Sequence, residues 1–301
     1  MAATHLELIR KGKVKEVYAI DEDCLLFVFT DQISVFDKII PTMIPQKGET
    51  LCRTSVHWFR EAEKHGIKSH FIELRSNREF LGRRLRILSK VKPGEKNYLI
   101  PLEFIVRYYV AGSLLDRIKK GEIKLETIGV TKKNIEYGTK LPEPFFEMTT
   151  KFEAHDRPVD MHEAMEISGL GKKELEEIKE KILKIDEIIA KNARAGGLIH
   201  VDGKKEFGVD SEGEIIVVDT FGTADEDRFW DAKEYENGKF VELSKEFVRQ
   251  YYRKIGYYDE LMKARELHQK EPEIPGLPAD VVQQVRNLYI QMFEKLTGEK
   301  F

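Results

Sequence analysis

Residues 198–221 have the sequence LIHVDGKKEFGVDSEGEIIVVDTF, in which two apolar, β-branched runs flank a short polar group. Such a pattern predicts a β-hairpin, because turns collect glycine and short polar residues between strands. The pair Glu212-Gly213 is the expected two-residue turn. With that turn, Glu206 lies directly opposite Asp219 on one face of the hairpin, and the other face is apolar.

The opposed pair Glu206 and Asp219 indicates a cation site. Opposed Cβ atoms lie roughly 5 Å apart across a strand pair, so two carboxylates there repel each other unless a positive charge compensates. Mg²⁺ prefers oxygen ligands and commonly takes one or two carboxylates, with water and phosphate completing its shell. We therefore predict a magnesium site on the hairpin. The alternative is a solvated edge hairpin whose two acidic side chains bend apart.

Working outward from the hairpin, the apolar spacing predicts an α+β fold. A first hairpin is expected over residues 16–29, a strand over 98–111, and a long irregular loop over 121–160. Helices are expected over residues 54–65, 174–195, 245–255 and 281–296. We predict a mostly antiparallel β domain over residues 1–97 and a larger mixed domain over residues 98–301.

Composition restricts the class of protein. The 301 residues include 50 basic and 53 acidic side chains in a mixed distribution, with a net charge of −3, which predicts no nucleic-acid partner. Two cysteines, Cys24 and Cys52, fit a reducing compartment. No apolar leader begins the chain and no run of about 18 apolar residues follows, so we expect a soluble cytoplasmic protein without membrane contact.

A basic turn precedes the first predicted hairpin. It has the sequence RKGKVK over residues 10–15. A glycine turn with several lysines suits polyphosphate binding through backbone N–H groups and ammonium groups. The alternative is an ordinary solvated turn. Neither a Walker A sequence nor GxGxxG occurs in the chain, which argues against the P-loop and dinucleotide-binding classes.

Other charged groups are candidates for anion binding or catalysis. Arg107 and Ser113 bracket the end of a buried strand, and arginine with serine can hold a phosphate or a carboxylate. The alternative is a plain strand end. Further candidates are Asp225 and Arg228, the i, i+4 pair Lys245 and Arg249, and the loop residues Lys151, His155 and Asp156. Each of these sets is also compatible with a solvated surface.

Taken together, these segments resemble the SAICAR synthetase family in order and spacing. The matching segments are GKVKEVY (12–18), DQISVFD (31–37), PTMIPQKG (41–48), RYYVAGS (107–113), LPEP (141–144), TK (150–151), HD (155–156), EFG (206–208), DEDRFW (225–230) and FVR (247–249). The likeness covers most of the chain, and the end from residue 276 onward resembles the tail of the longer family members.

The resemblance implies an ATP-dependent amide ligase of purine biosynthesis. Enzymes of this family use ATP to phosphorylate the carboxylate of carboxyaminoimidazole ribotide (CAIR). They then join it to L-aspartate, giving SAICAR, ADP and phosphate. It implies an N-terminal antiparallel β lobe and a larger α/β lobe, with ATP and Mg²⁺ in an ATP-grasp or kinase-like cleft between them. The expected partners are small-molecule substrates, and the sequence leaves a homo-oligomer open.

The resemblance also implies roles for individual residues. Those expected at ATP are Gly12, Lys13, Val14 and Lys15 in the covering loop, Leu99 and Glu103 beside adenine, and Lys151 near the phosphates. Those expected at the ribotide are Arg107, Ser113, Asp225, Arg228, Lys245 and Arg249. Lys204 and Asp37 are expected at the reacting groups, and Glu206 and Asp219 match the metal ligands of the family.

Two departures from the family pattern occur near these residues. The family commonly has DTKFEFG where residues 202–208 are DGKKEFG, and Asp-Glu where this chain has Asp219-Thr220. The resemblance therefore implies no secondary metal or aspartate contact for Thr220, whereas Lys204 and Glu206 keep their places.

Three other functions are alternatives to the ligase. A kinase-like phosphotransferase is disfavoured because HRD and DFG are absent. A non-catalytic nucleotide sensor would not need the set Lys204, Glu206 and Asp219. An RNA-binding protein would need clustered basic and aromatic surface residues, which this sequence lacks.

Overall fold

The computed structural model describes residues 6–131, 135–153 and 156–301, and it confirms the α+β class. The first third of the chain forms, in order, β1 (Glu7–Lys11), β2 (Lys15–Ala19), β3 (Cys24–Phe29), β4 (Ser34–Val35), β5 (Lys38–Ile39), α1 (Lys47–Lys64), β6 (Phe71–Ser76) and β7 (Glu79–Arg83). Five of these strands form an antiparallel sheet in the order β1-β2-β3-β7-β6, and β4 pairs with β5. The predicted first hairpin is the pair β2–β3.

The remaining two thirds contain the larger sheet. The strands and helices of this part of the chain are, in order, β8 (Tyr98–Leu99), β9 (Leu102–Tyr109), α2 (Ser113–Lys119), β10 (Lys140–Thr150), β11 (Pro158–Val159), α3 (Met161–Ser168), α4 (Lys172–Ala195), β12 (Leu198–Val209), β13 (Ile215–Val218), β14 (Asp227–Asp231), α5 (Ala232–Glu236), α6 (Glu246–Lys254), α7 (Tyr257–Glu266) and α8 (Ala279–Thr297). The strand order is β11-β10-β9-β12-β13, and β8 and β14 also pair with β12. Strand β12 is therefore the centre of the sheet.

Helix α4 covers one face of the larger sheet. Its apolar stripe recurs at helical spacing and is buried at Leu175, Ile178, Ile182, Ile185 and Ile189. Burying one such side chain stabilises the fold by about 1.5–3 kcal/mol. The helix packs on β12, α1 and α8, so the opposite face of β12 is left for the candidate site.

The predicted register of the second hairpin is wrong by one residue. Glu206 pairs with Val218 rather than with Asp219. The backbone N–H of Asp210 donates to the carbonyl of Glu214 over 2.9 Å, so the connection contains three central residues instead of two. An odd loop length shifts every pair by one position. Asp219 consequently lies just beyond the last pair of the ladder.

The expectation of a long irregular loop over residues 121–160 is also wrong. This region contains a 3₁₀ turn over Leu125–Ile128 and the eleven-residue strand β10. Pro142 and Pro144 fall in an irregularity of the pairing between β10 and β9. Since proline lacks the N–H that a regular ladder needs, both prolines are accommodated where the ladder is interrupted.

The predicted domain boundary at residue 97 falls between the two sheets, because the first ends at Arg83 and the second begins at Tyr98. A parallel bridge between Ser69 and Val217 joins the two parts, and one apolar core runs through both. The division into two domains stays a prediction. None of the helices in the described part of the chain combines the length and apolarity needed to cross a bilayer.

Candidate active site

The site is built on one face of β12 and its neighbour β9. Side chains alternate along a strand, so Asp202, Lys204 and Glu206 share a face of β12. Antiparallel pairing places Arg107 of β9 opposite Asp202, and the same alternation brings Glu103 of β9 to this face. The sheet therefore collects two cationic and three acidic side chains in one place.

Lys204 lies at the centre of three carboxylates. Its Nζ donates to Glu103 over 2.8 Å and to Glu206 over 3.2 Å, and it lies 3.6 Å from Glu226. Burial disfavours the charged ammonium, but Glu226, Glu206 and Glu103 more than offset this and raise the pKa of Lys204 well above its ordinary value. Lys204 is thus a permanent cation at neutral pH.

Glu206 is the buried anion of the same cluster. It contacts Lys151 as well as Lys204. Burial alone would raise its pKa, yet Lys204 and Lys151 lower the pKa of Glu206 to about 2. Glu103, in contrast, has its pKa raised by burial, against the opposing effect of Lys204. The cluster therefore joins the predicted nucleotide residue Lys151 to the predicted metal ligand Glu206.

Asp219 reaches the same region through Lys15. It has the left-handed φ of 57° just after β13, and its side chain contacts Lys15 of β2. Burial lowers the pKa of Lys15 to about 8, although Glu226 and Glu206 favour its charged form. Lys15 is the residue that links the N-terminal sheet to both predicted metal carboxylates.

The glycine turn is the connection of a hairpin that the sequence analysis missed, β1–β2. The N–H of Gly12 donates to the carbonyl of Lys15 over 2.8 Å, and the carbonyl of Val14 accepts from the N–H of Thr30 over 2.9 Å. Lys13 points away from these bonds and contacts Asp37. Leu99 lies elsewhere, on β8, where it pairs with Gly208 of β12.

A cavity of about 350 Å³ opens beside Lys204. Five residues predicted from separate segments line it: Arg107, Ser113, Lys204, Arg228 and Arg249. Other described residues on its wall are Phe36, Asp202, Glu226, Glu246, Arg253 and Tyr258. The cavity therefore has a cationic floor with interspersed carboxylates, which suits an anionic ligand of small-molecule size.

Acidic partners hold the two arginines of the floor in place. Arg107 donates to Glu147 over 2.7 Å, to Asp202 over 3.3 Å and to the hydroxyl of Ser113 over 3.2 Å. Arg228 donates to the same oxygen of Asp202 over 2.6 Å. Asp202 thus ties the two guanidinium groups together. Since both arginines are almost fully buried, their orientation is fixed before a ligand arrives.

Gly112 is required by the position of Arg228. It has φ 53° and ψ −136° at the start of α2, a region that is open essentially only to glycine. A Cβ atom there would lie 2.7 Å from a terminal nitrogen of Arg228. Any side chain at this position would therefore displace the guanidinium group from the cavity floor.

Behind Arg228 lies the buried carboxyl of Glu242. One of its oxygens accepts from the hydroxyl of Tyr137 and from Nε1 of Trp230. The other oxygen is 3.9 Å from Nε of Arg228, and neither of these two atoms has a hydrogen-bond partner. Burial raises the pKa of Glu242 to about 6, against the opposing effect of Arg228.

Asp225 and Lys245, both predicted at the ribotide, do not line the cavity. Asp225 is 3% exposed, and its oxygens contact Nζ of Lys47 at 2.9 Å and the hydroxyl of Tyr289. Lys47 and, to a lesser extent, Lys245 lower the pKa of Asp225 despite its burial. Lys245 Nζ lies 3.8 Å from the same carboxylate. Direct contact with a ribotide would require Asp225 to leave these partners.

Asp37 lies at the edge of the cavity rather than inside it. Its side chain is 71% exposed, and it occupies the turn between β4 and β5 next to Phe36, which lines the cavity wall. Asp37 also contributes to the electrostatic environment of Asp156, together with Lys204 and Lys151. His155, the other loop candidate, lies outside the described residues.

The departure from the family pattern at Gly203 and Lys205 has a structural cause. Lys205 is fully buried behind the sheet, where its Nζ contacts Asp186 and lies 3.0 Å from Asp227. Asp227 also accepts a hydrogen bond from Nε2 of His200 over 2.7 Å. A Cβ at Gly203 would lie 2.1 Å from Asp227. The glycine therefore makes room for the ion pairs of the unusual lysine.

Sequence reasoning missed several residues of the cavity wall. Asp202 had a usable signal, because it precedes Lys204 by two positions and so shares its strand face. Glu226 lay inside a segment already singled out. Phe36 also lay inside a matching segment, DQISVFD (31–37), whereas Arg253 and Tyr258 had no comparable signal. The three residues come together only through the packing of the β4–β5 turn on α6 and α7.

Comparisons with known proteins give a consistent result. A family model described as SAICAR synthetase matches residues 8–264. Two phosphoribosylaminoimidazole-succinocarboxamide synthases are similar along nearly the whole chain. The protein from Thermoplasma acidophilum is 55% identical, and the one from Thermoplasma volcanium is 57% identical, each over 98% of this chain and 100% of the relative.

Solved structures agree with the fold. The SAICAR synthase from Saccharomyces cerevisiae in complex with SAICAR superposes with a TM-score of 0.77 at 27% identity, covering 100% of this chain and 98% of that chain. A SAICAR synthetase in complex with ADP gives a TM-score of 0.70 at 29% identity, covering 97% of this chain and 98% of the other. The chain therefore belongs to the SAICAR synthetase family of ATP-dependent ligases.

Proposed function

We propose that the cavity beside Lys204 is where this ligase condenses CAIR with L-aspartate, using ATP and releasing SAICAR, ADP and phosphate. One observation carries the proposal: Arg107, Ser113, Lys204, Arg228 and Arg249 come from four separate segments and line a single cavity. An anionic ribotide needs such a set of cations. The solved relatives bound to SAICAR and to ADP support the same ligand chemistry.

The reaction proceeds in two steps, phosphoryl transfer and then amide formation. A carboxylate oxygen of CAIR attacks the γ-phosphorus of ATP, the bond to the β,γ-bridging oxygen breaks, and ADP leaves with that electron pair. The amine of aspartate then attacks the acyl carbon, the carbon–oxygen bond to the phosphate breaks, and the amine loses a proton. The cavity must keep water from the acyl phosphate between these steps.

Lys204 acts through its charge rather than as a base. Its pKa is held well above the ordinary value by three carboxylates, so it does not accept the amine proton near neutral pH. A fixed ammonium group stabilises the negative charge that develops on the transferring phosphoryl group. Lys151 shares Glu206 with Lys204, and Lys15 contacts Asp219, so these two lysines extend the positive field toward the glycine turn.

The glycine turn supports a nucleotide cradle on the N-terminal sheet. Gly12, Lys13, Val14 and Lys15 would cover the phosphates, with Lys151 approaching from the other sheet. Leu99 at the end of β8 and Glu103 near the start of β9 would border the adenine. These assignments rest on the family resemblance and on the contacts of Lys15 and Lys151 described above.

Glu206 and Asp219 suit a magnesium ion by the chemistry of their donors. Both offer carboxylate oxygens, which Mg²⁺ prefers, and both are charge-compensated by lysines. Glu206 stays ionised because its pKa is about 2. When bound, Mg²⁺ would neutralise phosphate charge during transfer. Release of Lys151 or Lys15 toward the nucleotide would free these oxygens for the metal.

The ribotide would lie on the cationic floor. Arg107, Arg228 and Ser113 are held in place by acidic partners or by each other and would meet its anionic end together with Arg249. Asp37 would lie near the reacting end. Asp225 and Lys245 would act by supporting this region from behind, through Lys47 and Tyr289, rather than by touching the ribotide.

Three further expectations remain predictions. Cytoplasmic location follows from the need for ATP and aspartate together. Assembly into a homo-oligomer is left to measurement. The division into an N-terminal domain over residues 1–97 and a larger domain over residues 98–301 would place the nucleotide between two lobes.

The test is ADP release from Mg-ATP and CAIR, measured with and without L-aspartate. We expect wild type to require aspartate and the double variant Glu206→Gln/Asp219→Asn to be inactive. Glu214→Gln is the matched control, because Glu214 is an exposed carboxylate in the same hairpin. Equal ADP release without aspartate, or an active double variant, would overturn the proposal.

A further inference from the structure

The cavity contains one cation that differs from the rest. Among the described residues on its wall, Arg107, Lys204, Arg228 and Arg249 each have a carboxylate within 3.3 Å. The guanidinium group of Arg253 forms no ion pair or hydrogen bond with any described residue, and this residue is exposed at the mouth of the cavity. An anion can therefore bind Arg253 without displacing an existing partner.

Aromatic rings hold Arg253 in place instead. Its guanidinium carbon lies 4.4 Å from the ring centre of Tyr258 and 5.7 Å from that of Phe36. The two rings contact each other, with centroids 4.7 Å apart. Stacking fixes the plane of a guanidinium group while leaving its N–H edge free. Such an edge is suited to bidentate binding of a carboxylate.

The position of Phe36 is itself constrained. Phe36 and Asp37 both have left-handed φ values, 51° and 64°, in the two-residue turn between β4 and β5. Bulky residues adopt this conformation only where the surroundings impose it. The carbonyl of Phe36 accepts a hydrogen bond from Arg265 of α7 over 2.9 Å, and Lys38 pairs with Glu271. The turn is thus fastened so that its aromatic ring supports Arg253.

We propose that Arg253, supported by Tyr258 and Phe36, binds a carboxylate of the amino acid substrate at the mouth of the cavity. The inference rests on the proposed function, which places the ribotide on Arg107, Ser113, Arg228 and Arg249. The enzyme must also hold a second anionic substrate, L-aspartate, next to Lys204. Arg253 borders the same cavity next to Phe36, the chain neighbour of Asp37, and supplies the charge which that substrate needs.

The test compares Michaelis constants for the three substrates in Arg253→Ala, Arg253→Lys and Tyr258→Leu. We expect Arg253→Ala to raise KM for aspartate by about 10- to 100-fold, the range for losing a hydrogen-bonded charge pair, with KM for CAIR and ATP unchanged. Arg253→Lys should recover part of the loss, because the charge remains but the planar fork is gone. Tyr258→Leu should raise KM for aspartate by a smaller factor.

Two controls make the outcome specific. Lys254→Ala removes the neighbouring exposed cation of α6 and should leave every constant unchanged. Succinate, which has the two carboxylates but no amine, should inhibit wild type competitively against aspartate and inhibit Arg253→Ala at least tenfold more weakly.

Several results would contradict the assignment of Arg253 to aspartate. A rise in KM for CAIR with no change for aspartate would assign Arg253 to the ribotide and overturn the inference, as would a change in kcat alone. If wild type shows aspartate-dependent ADP release while Arg253→Ala keeps its KM for aspartate, only this inference fails. If wild type shows no aspartate dependence, the proposed function fails first.

Discussion

Replacing Lys205 by methionine tests the buried ion pairs behind the sheet. The change keeps the length of the side chain but leaves Asp186 and Asp227 without their shared cation. Lys205 and both carboxylates are 0% exposed at the side chain, so water cannot compensate. Removing one partner of a buried ion pair typically costs about 3–5 kcal/mol. We expect Lys205→Met to lose about that much free energy of unfolding.

The assay is urea denaturation followed by tryptophan fluorescence and by far-ultraviolet circular dichroism. Trp58 and Trp230 are both buried, so their emission reports on loss of the core. Lys172→Met is the matched control, because Lys172 forms an exposed i, i+4 pair with Glu176 on α4. Such a pair contributes about 0.3–0.5 kcal/mol. A loss for Lys205→Met within about 1 kcal/mol of the control would refute the reasoning.

Three other variants test the cavity and the hairpin. Gly112→Ala places a methyl group against Arg228, so KM for CAIR should rise by roughly tenfold or more while KM for ATP stays the same; an unchanged KM for CAIR contradicts this. Glu206→Gln should abolish ADP release without changing the circular dichroism spectrum, and a variant with full turnover would show that the carboxylate is dispensable. Burial raises the pKa of Glu242 to about 6 from 4.5, so the folded state binds this proton more tightly than the unfolded state. The free energy of unfolding should therefore fall as the pH rises through this range, by about 2 kcal/mol in total from well below the lower to well above the upper pKa. Glu242→Gln should lack that decrease, and parallel stability profiles of wild type and variant would contradict the assignment.

The elements that were predictable from sequence are those with a strong local period. The stripe of α4 repeats at helical spacing over about four turns, and the paired runs of β2 and β3 flank an acidic turn, so each element carries its own signal. The register of the second hairpin was not predictable, because SEGE at residues 211–214 is compatible with either an even or an odd loop. Only the loop length decides whether Asp219 joins the ladder.

Strand β10 was missed for a related reason. Pro142 and Pro144 normally argue against a strand, and the sequence does not show that the ladder is interrupted at that point. Its partner β9 lies about 40 residues earlier, at the chain separation between Arg107 and Glu147. Pairing over such a distance leaves no periodic trace in a single segment.

Some residues of the candidate site were predictable from the sequence and others were not. Lys204 and Glu206 were accessible from strand alternation and family resemblance, and Asp202 was accessible from the same alternation. Arg253 was not, because its importance depends on stacking against Phe36 from a turn more than 200 residues away in the chain. Asp225 illustrates the converse: its sequence context fits a ligand-binding residue, but burial with Lys47 places it behind the cavity wall.

The most direct test of the central claim follows the oxygen atoms of the ribotide carboxylate. CAIR labelled with ¹⁸O in that carboxylate is incubated with the protein, Mg-ATP and L-aspartate, and the released phosphate is analysed by mass spectrometry. Ligation through an acyl phosphate predicts that each turnover transfers one ¹⁸O atom to the phosphate. Phosphate without the label, released at the same rate as ADP, would contradict the account.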